Sequence, residues 1–129
     1  VQHSYEEIDR LLLPLTPVLA READAILDLR ELLVRQGHPG KCVRCFFQLF
    51  EAAGSALQPS LAPLQAWLQR HVEIAVRSEG EELETLPFVP EQAEDLERFC
   101  LRSIEHVRQD RSYQASHLQL VFRYKSRAA

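Results

Sequence analysis

The chain has 129 residues, a hydrophobic share of 46%, a charged share of 26% and a formal net charge of −4. That fits one domain of ordinary globular composition, and its longest apolar run, around Leu11–Leu15, is far too short to span a bilayer. Low glycine content (4 residues) and the lack of a basic, apolar leader exclude low-complexity and signal-peptide readings of the segment, so an intracellular, cytoplasmic or nuclear setting is expected.

Ser4 followed by Glu7 makes a capping box, predicting a first helix over Tyr5–Leu13 that Pro14 ends. Thr16 and Pro17 then suit the start of a second helix reaching Gln36, with Leu19, Ala23, Ile26, Leu27, Leu29, Leu32 and Leu33 as a wide apolar face. Gly37 fits the left-handed position after it. His38, Pro39 and Gly40 turn the chain into a third helix, Lys41–Ala53, where Cys42, Cys45, Phe46, Leu49, Phe50 and Ala53 form an unbroken helical stripe. Two helices joined so tightly should pack as a central antiparallel hairpin, Pro17–Ala53.

After a break at residues 54–60, Ser60 is expected to cap a fourth helix that carries Leu61, Leu64, Leu68, Val72, Ala75 and Val76 inward. Trp67 and Ile74 would lie on its flank as a second contact surface. Residues 78–90 read as an exposed acidic connection, pinned back by Leu86, Phe88 and Val89. A fifth helix runs from Pro90 to about Arg111, with Leu96, Phe99, Cys100, Ser103, Ile104 and Val107 inward. Residues 117–125 alternate partly like a strand, but a lone strand has no partner, so a short sixth helix is expected. The fold expected is therefore all-α: a single bundle of five or six helices over residues 1–129. Its core should be dominated by Ile26, Leu29, Leu33, Phe46, Leu49, Phe50, Leu68, Val72, Phe99 and Cys100. Without any methionine, the chain reads as a domain of a larger protein.

Chemistry is sparse. His38, Cys42 and Cys45, with Cys100 and His106, have spacings that could suggest zinc. A Cys-x-x-Cys inside a helical core stripe behaves instead as a pair of small hydrophobes, so no metal and no cofactor are expected. His38 and Lys41 could activate Cys42, but no third group orients the pair, and no catalytic residue is assigned. Gly40-Lys41 lacks the first glycine of a P-loop, and Gly37–Gly40 lacks the sheet of a KH domain.

Charge is segregated. Residues 78–97 carry eight acids and no base, whereas residues 98–129 carry seven bases and two acids. The expected function is a non-enzymatic protein-interaction or scaffold module, taking another protein or another domain of its parent chain as partner. It would use a groove between helices or the acidic strip Glu79, Glu81, Glu82 and Glu84, with Trp67 and Phe88 as apolar contacts. The alternative is a nucleic-acid-binding surface built from Arg108, Arg111, Arg123, Lys125 and Arg127, with Phe122 and Tyr124 among them.

Leu32, Leu33, Arg35 and Gly37, then Phe46, Phe47 and Leu49, give residues 26–57 a pattern that resembles the later helices of a caspase-recruitment (CARD) domain. Tyr5-Glu6-Glu7-Ile8 is similar to the segment that precedes them in that family. The resemblance implies a death-fold helical domain that assembles homotypically in apoptotic or innate-immune signalling.

Overall fold

The computed structural model describes residues 3–111 and 117–126, without the side chains of residues 110 and 111. Five α-helices and a three-stranded antiparallel sheet are present among the described residues, in the order α1 (Tyr5–Leu12), α2 (Ala23–Arg35), α3 (Pro39–Leu57), α4 (Ala62–His71), β1 (Val72–Ser78), β2 (Glu81–Pro87), α5 (Leu96–Arg111) and β3 (Leu118–Tyr124). The all-α expectation is thus overturned: the chain is mixed α/β.

The N-terminal half follows its sequence signals closely. The Ser4 hydroxyl accepts the Glu7 N–H at 3.1 Å, capping α1. Pro14 and Pro17 keep residues 13–22 out of an α-helix. Short 3₁₀ turns form there at Leu13–Leu15 and Ala20–Glu22, and buried Leu15 and Leu19 hold them down. The second helix therefore starts at Ala23 rather than Pro17. It ends in a Schellman arrangement, with the Gly37 N–H on Leu32 O at 3.0 Å, and the left-handed residue is Gln36 (φ 50°) instead of Gly37. Residues 26–57 form most of α2, the turn and α3, and these two helices pack together. Gly54, at φ 61°, interrupts the helical conformation of α3 close to where the sequence break lies.

The second half departs from expectation. Leu68, Val72 and Val76 satisfy a helical stripe, but Val72, Ile74 and Val76 also satisfy a period of two, and all three are β-branched. The chain leaves helical geometry at Val72 (φ −119°, ψ 139°), and those three residues are fully buried on a strand. Ser60 gives its hydroxyl to Leu57 O and does not cap α4. The supposed acidic connection is itself β2, and residues 118–124 are β3. The order β2-β1-β3 makes β1 the missing partner of both. A bulge between Val76 and Arg77 leaves Leu83 as the extra residue on β2.

Glu79 and Gly80 join β1 to β2 with φ values of 52° and 81°, the two-residue turn that matches strand twist. Glutamate is a poor occupant of a left-handed site. Glu79→Asn should raise unfolding free energy by about 0.5–1 kcal/mol in urea titration; a fall would show that Glu79 makes contacts beyond its backbone.

Phe46, Phe47 and Phe50 of α3 meet Phe88 after β2 and Phe99 of α5, with neighbouring ring centroids 5.3–5.9 Å apart. This cluster joins the helical half to the sheet half. Nine of the ten expected core residues are buried; Cys100 is half-buried.

Candidate functional site

An open groove of about 380 Å³ lies between α4, the end of α3 and the segment that follows Phe88. Phe50, Pro59, Ala62, Ala66 and Pro90 supply apolar lining, while Gln58, Gln65, Gln69 and Gln92 supply four primary amides. None of the lining side chains is charged. The Gln58 amide spans the structure, its Nε2 near Phe50 O (3.5 Å) and its Oε1 accepting the Ala93 N–H (3.4 Å). A smaller hollow of about 260 Å³ shares Gln58 and continues along Glu51, Gly54, Ser55 and Ala93–Asp95.

The wall formed by residues 89–94 is held by a part-buried ion pair. Arg102 donates to both Glu94 oxygens at 2.7 and 2.9 Å and to Val89 O at 2.9 Å. Glu94, only 7% exposed, also accepts the Glu91 N–H at 2.8 Å. Burial pushes the Glu94 carboxyl pKa up, but the Arg102 and Glu91 hydrogen bonds outweigh it and leave the group below its usual value.

The residues singled out by sequence scatter. Trp67 and Phe88 are 4% and 0% exposed, so both belong to the interior and neither offers a contact surface. Ile74, expected beside Trp67 on one helical flank, is buried on β1. Glu79 and Glu81 are exposed at the β1–β2 turn, and Glu84 is half-buried opposite Val76. Glu82 is engaged: Arg123 reaches across the sheet to Glu73 at 2.7 Å and Glu82 at 2.5 Å. The acidic strip and the basic end, read as separate surfaces, thereby neutralise one another in part. Arg108 and Lys125 are exposed and apart from that pair, whereas the Arg111 side chain and Arg127 lie outside the described residues.

The cysteines carry no activated thiol. Burial pushes Cys42 up to about 11, against the opposing effect of the Tyr124 hydroxyl 3.2 Å away, and Cys45 and Cys100 are also raised by burial. Cys42 and the Tyr124 hydroxyl both sit on Gly37 O, at 3.4 and 3.0 Å, tying β3 to the α2–α3 turn. Among the described residues no three His, Cys, Asp or Glu side chains gather as a metal site.

Histidine contacts were illegible in sequence. His3 lies 4.9 Å from both Trp67 and His71 and contacts Glu7 Oε2 at 3.2 Å. Burial, then the charges of His3 and Arg70, hold His71 below the ordinary histidine range. The cluster fastens the N-terminal segment to the end of α4.

Comparison with known proteins returns no matching family, curated protein or solved structure. The glutamine groove did have a signal in the sequence. Gln58, Ala62, Gln65, Ala66 and Gln69 recur at i, i+4, i+7, i+8 and i+11, a face of amides and small residues without a charge.

Proposed function

We propose that this chain is a non-enzymatic protein-interaction domain whose glutamine groove receives an extended, uncharged peptide segment of a partner. One observation carries the reading: an open recess of binding-site size that combines an apolar floor with four carboxamides and no charge. A carboxamide both donates and accepts, as a peptide group does, so Gln65, Gln69 and Gln92 can pair with a bound backbone while its apolar side chains rest on the exposed Pro59, Ala62 and Ala66. The raised thiol pKa values support a non-catalytic reading. The pairing of Glu82 and Glu73 with Arg123 favours the groove over the acidic strip. No helix among the described residues is long and apolar enough to cross a membrane.

The test is selection from a displayed random-peptide library, followed by titration of enriched peptides against the parent and Ala66→Arg. Ala66 is an exposed α4 position, so arginine fills the groove with little effect on folding. Uncharged peptides should dominate the selection, and Ala66→Arg should abolish their binding. Gln65→Ala and Gln69→Ala should each weaken it by about 0.5–1.5 kcal/mol. Enrichment that survives Ala66→Arg would remove the groove from the argument.

A further inference from the structure

The sheet has two edges, and they are built differently. Edge strand β2 carries Glu81, Glu82 and Glu84, a bulge at Leu83, and Pro87, which has no N–H to donate. Charges, bulges and proline are the devices that prevent strand addition. Edge strand β3 has none of the three except Arg123, whose guanidinium is turned across the outer face onto Glu73 and Glu82.

Which backbone groups of β3 are left without a partner strand, among the described residues, follows from its pairing. The Lys125 N–H donates to His71 O at 2.8 Å, one step along the ladder from the Val72–Tyr124 pair. Bonded and non-bonded pairs alternate in an antiparallel ladder, so Gln119, Val121 and Arg123 exchange bonds with β1. Leu118, Leu120, Phe122 and Tyr124 therefore aim their N–H and C=O groups away from it. Their side chains share the core face, where all four are only partly buried.

We infer that the β3 edge is a self-association surface, on which β3 of a second copy of this chain adds antiparallel about a twofold axis at Val121, making one continuous six-stranded sheet. This register uses all seven residues of the strand. It sets Leu118 opposite Tyr124 and Leu120 opposite Phe122 on the core face, and all four belong to the outward-bonding set. On the outer face it sets Gln119 opposite Arg123 and Val121 opposite its own copy, so no like charges meet. A slip by one residue would set core-face side chains against the outer face. The same twofold pairing through β2 would place Glu84 against Glu84. The surface is separate from the glutamine groove, and the inference stands or falls independently of it.

The test is sedimentation of the full chain beside Val121→Lys and Val121→Glu. Val121 is 39% exposed on the outer face, so both variants should keep the parent circular-dichroism spectrum. The parent should be a dimer. Each variant alone should self-associate roughly a hundredfold more weakly, because like charges then meet at the axis. An equimolar mixture of the two should recover the dimer, since lysine then faces glutamate. A monomeric parent overturns the inference and leaves the edge for a foreign strand or for nothing. A dimer that persists in Val121→Lys places the interface elsewhere, and a mixture that stays monomeric rules out the twofold at Val121.

Discussion

Phe46→Ala is expected to lower the unfolding free energy by about 3–5 kcal/mol, enough to leave a domain of typical ~5–15 kcal/mol stability barely folded. Phe46 is fully buried, and its ring contacts Phe47 at 5.5 Å, Phe50 at 5.4 Å and Phe88 at 5.4 Å. The size of the effect follows from its position. Phe47 and Phe50 belong to α3 itself, but Phe88 lies beyond β2, so truncation opens a void where the helical half and the sheet half meet. Surrounding side chains cannot collapse into it without separating one half from the other. Urea denaturation followed by far-UV circular dichroism measures the loss. An unchanged midpoint would mean that the aromatic cluster is not what joins the two halves.

The aromatic cluster also marks how far local pattern reaches. The cap at Ser4 and the α3 stripe are each encoded within a dozen residues and form where the sequence places them, whereas the turn between α2 and α3 comes earlier than expected, with Gln36 rather than Gly37 left-handed and α3 starting at Pro39. The strands are not encoded locally. Val72 and Val76 fit helix and strand periodicity equally. What decides is the pairing of Ile74 with Leu86 on one side and Phe122 on the other, 12 and 48 residues away in the chain. For the same reason residues 118–124 look unpartnered: their partner reads as the end of a helix. Charge misleads in the same manner. The acidic and basic tracts look like two surfaces until β1 places Arg123 between Glu73 and Glu82. The groove was readable only in part. Its Gln and Ala spacing lies in the sequence, but the wall at Pro90 and Gln92 arrives through a tertiary ion pair.

That ion pair makes the groove and the stability of the domain answer to one residue. Arg102→Met is expected to cost about 2–3 kcal/mol, less than the ~3–5 kcal/mol for breaking a fully buried pair because Arg102 is 37% exposed. It leaves the Glu94 carboxylate with the Glu91 N–H and releases Val89 O, so the segment bearing Pro90 and Gln92 loses its anchor. Groove ligands should weaken in Arg102→Met, although Arg102 does not line the groove. The pH dependence has a definite sign. The folded-state pKa of Glu94 lies below the ordinary 4.5, so the stability it contributes is present above that value and is lost as pH falls through the folded pKa. Glu94→Gln has nothing to titrate there, so its deficit against the parent should be largest at neutral pH and should shrink below pH 4.5. Parallel denaturation curves of parent and Glu94→Gln from neutral pH into the acid range decide the matter. A deficit that stays constant would show that Glu94 acts through shape and neutral hydrogen bonds rather than through its charge on Arg102.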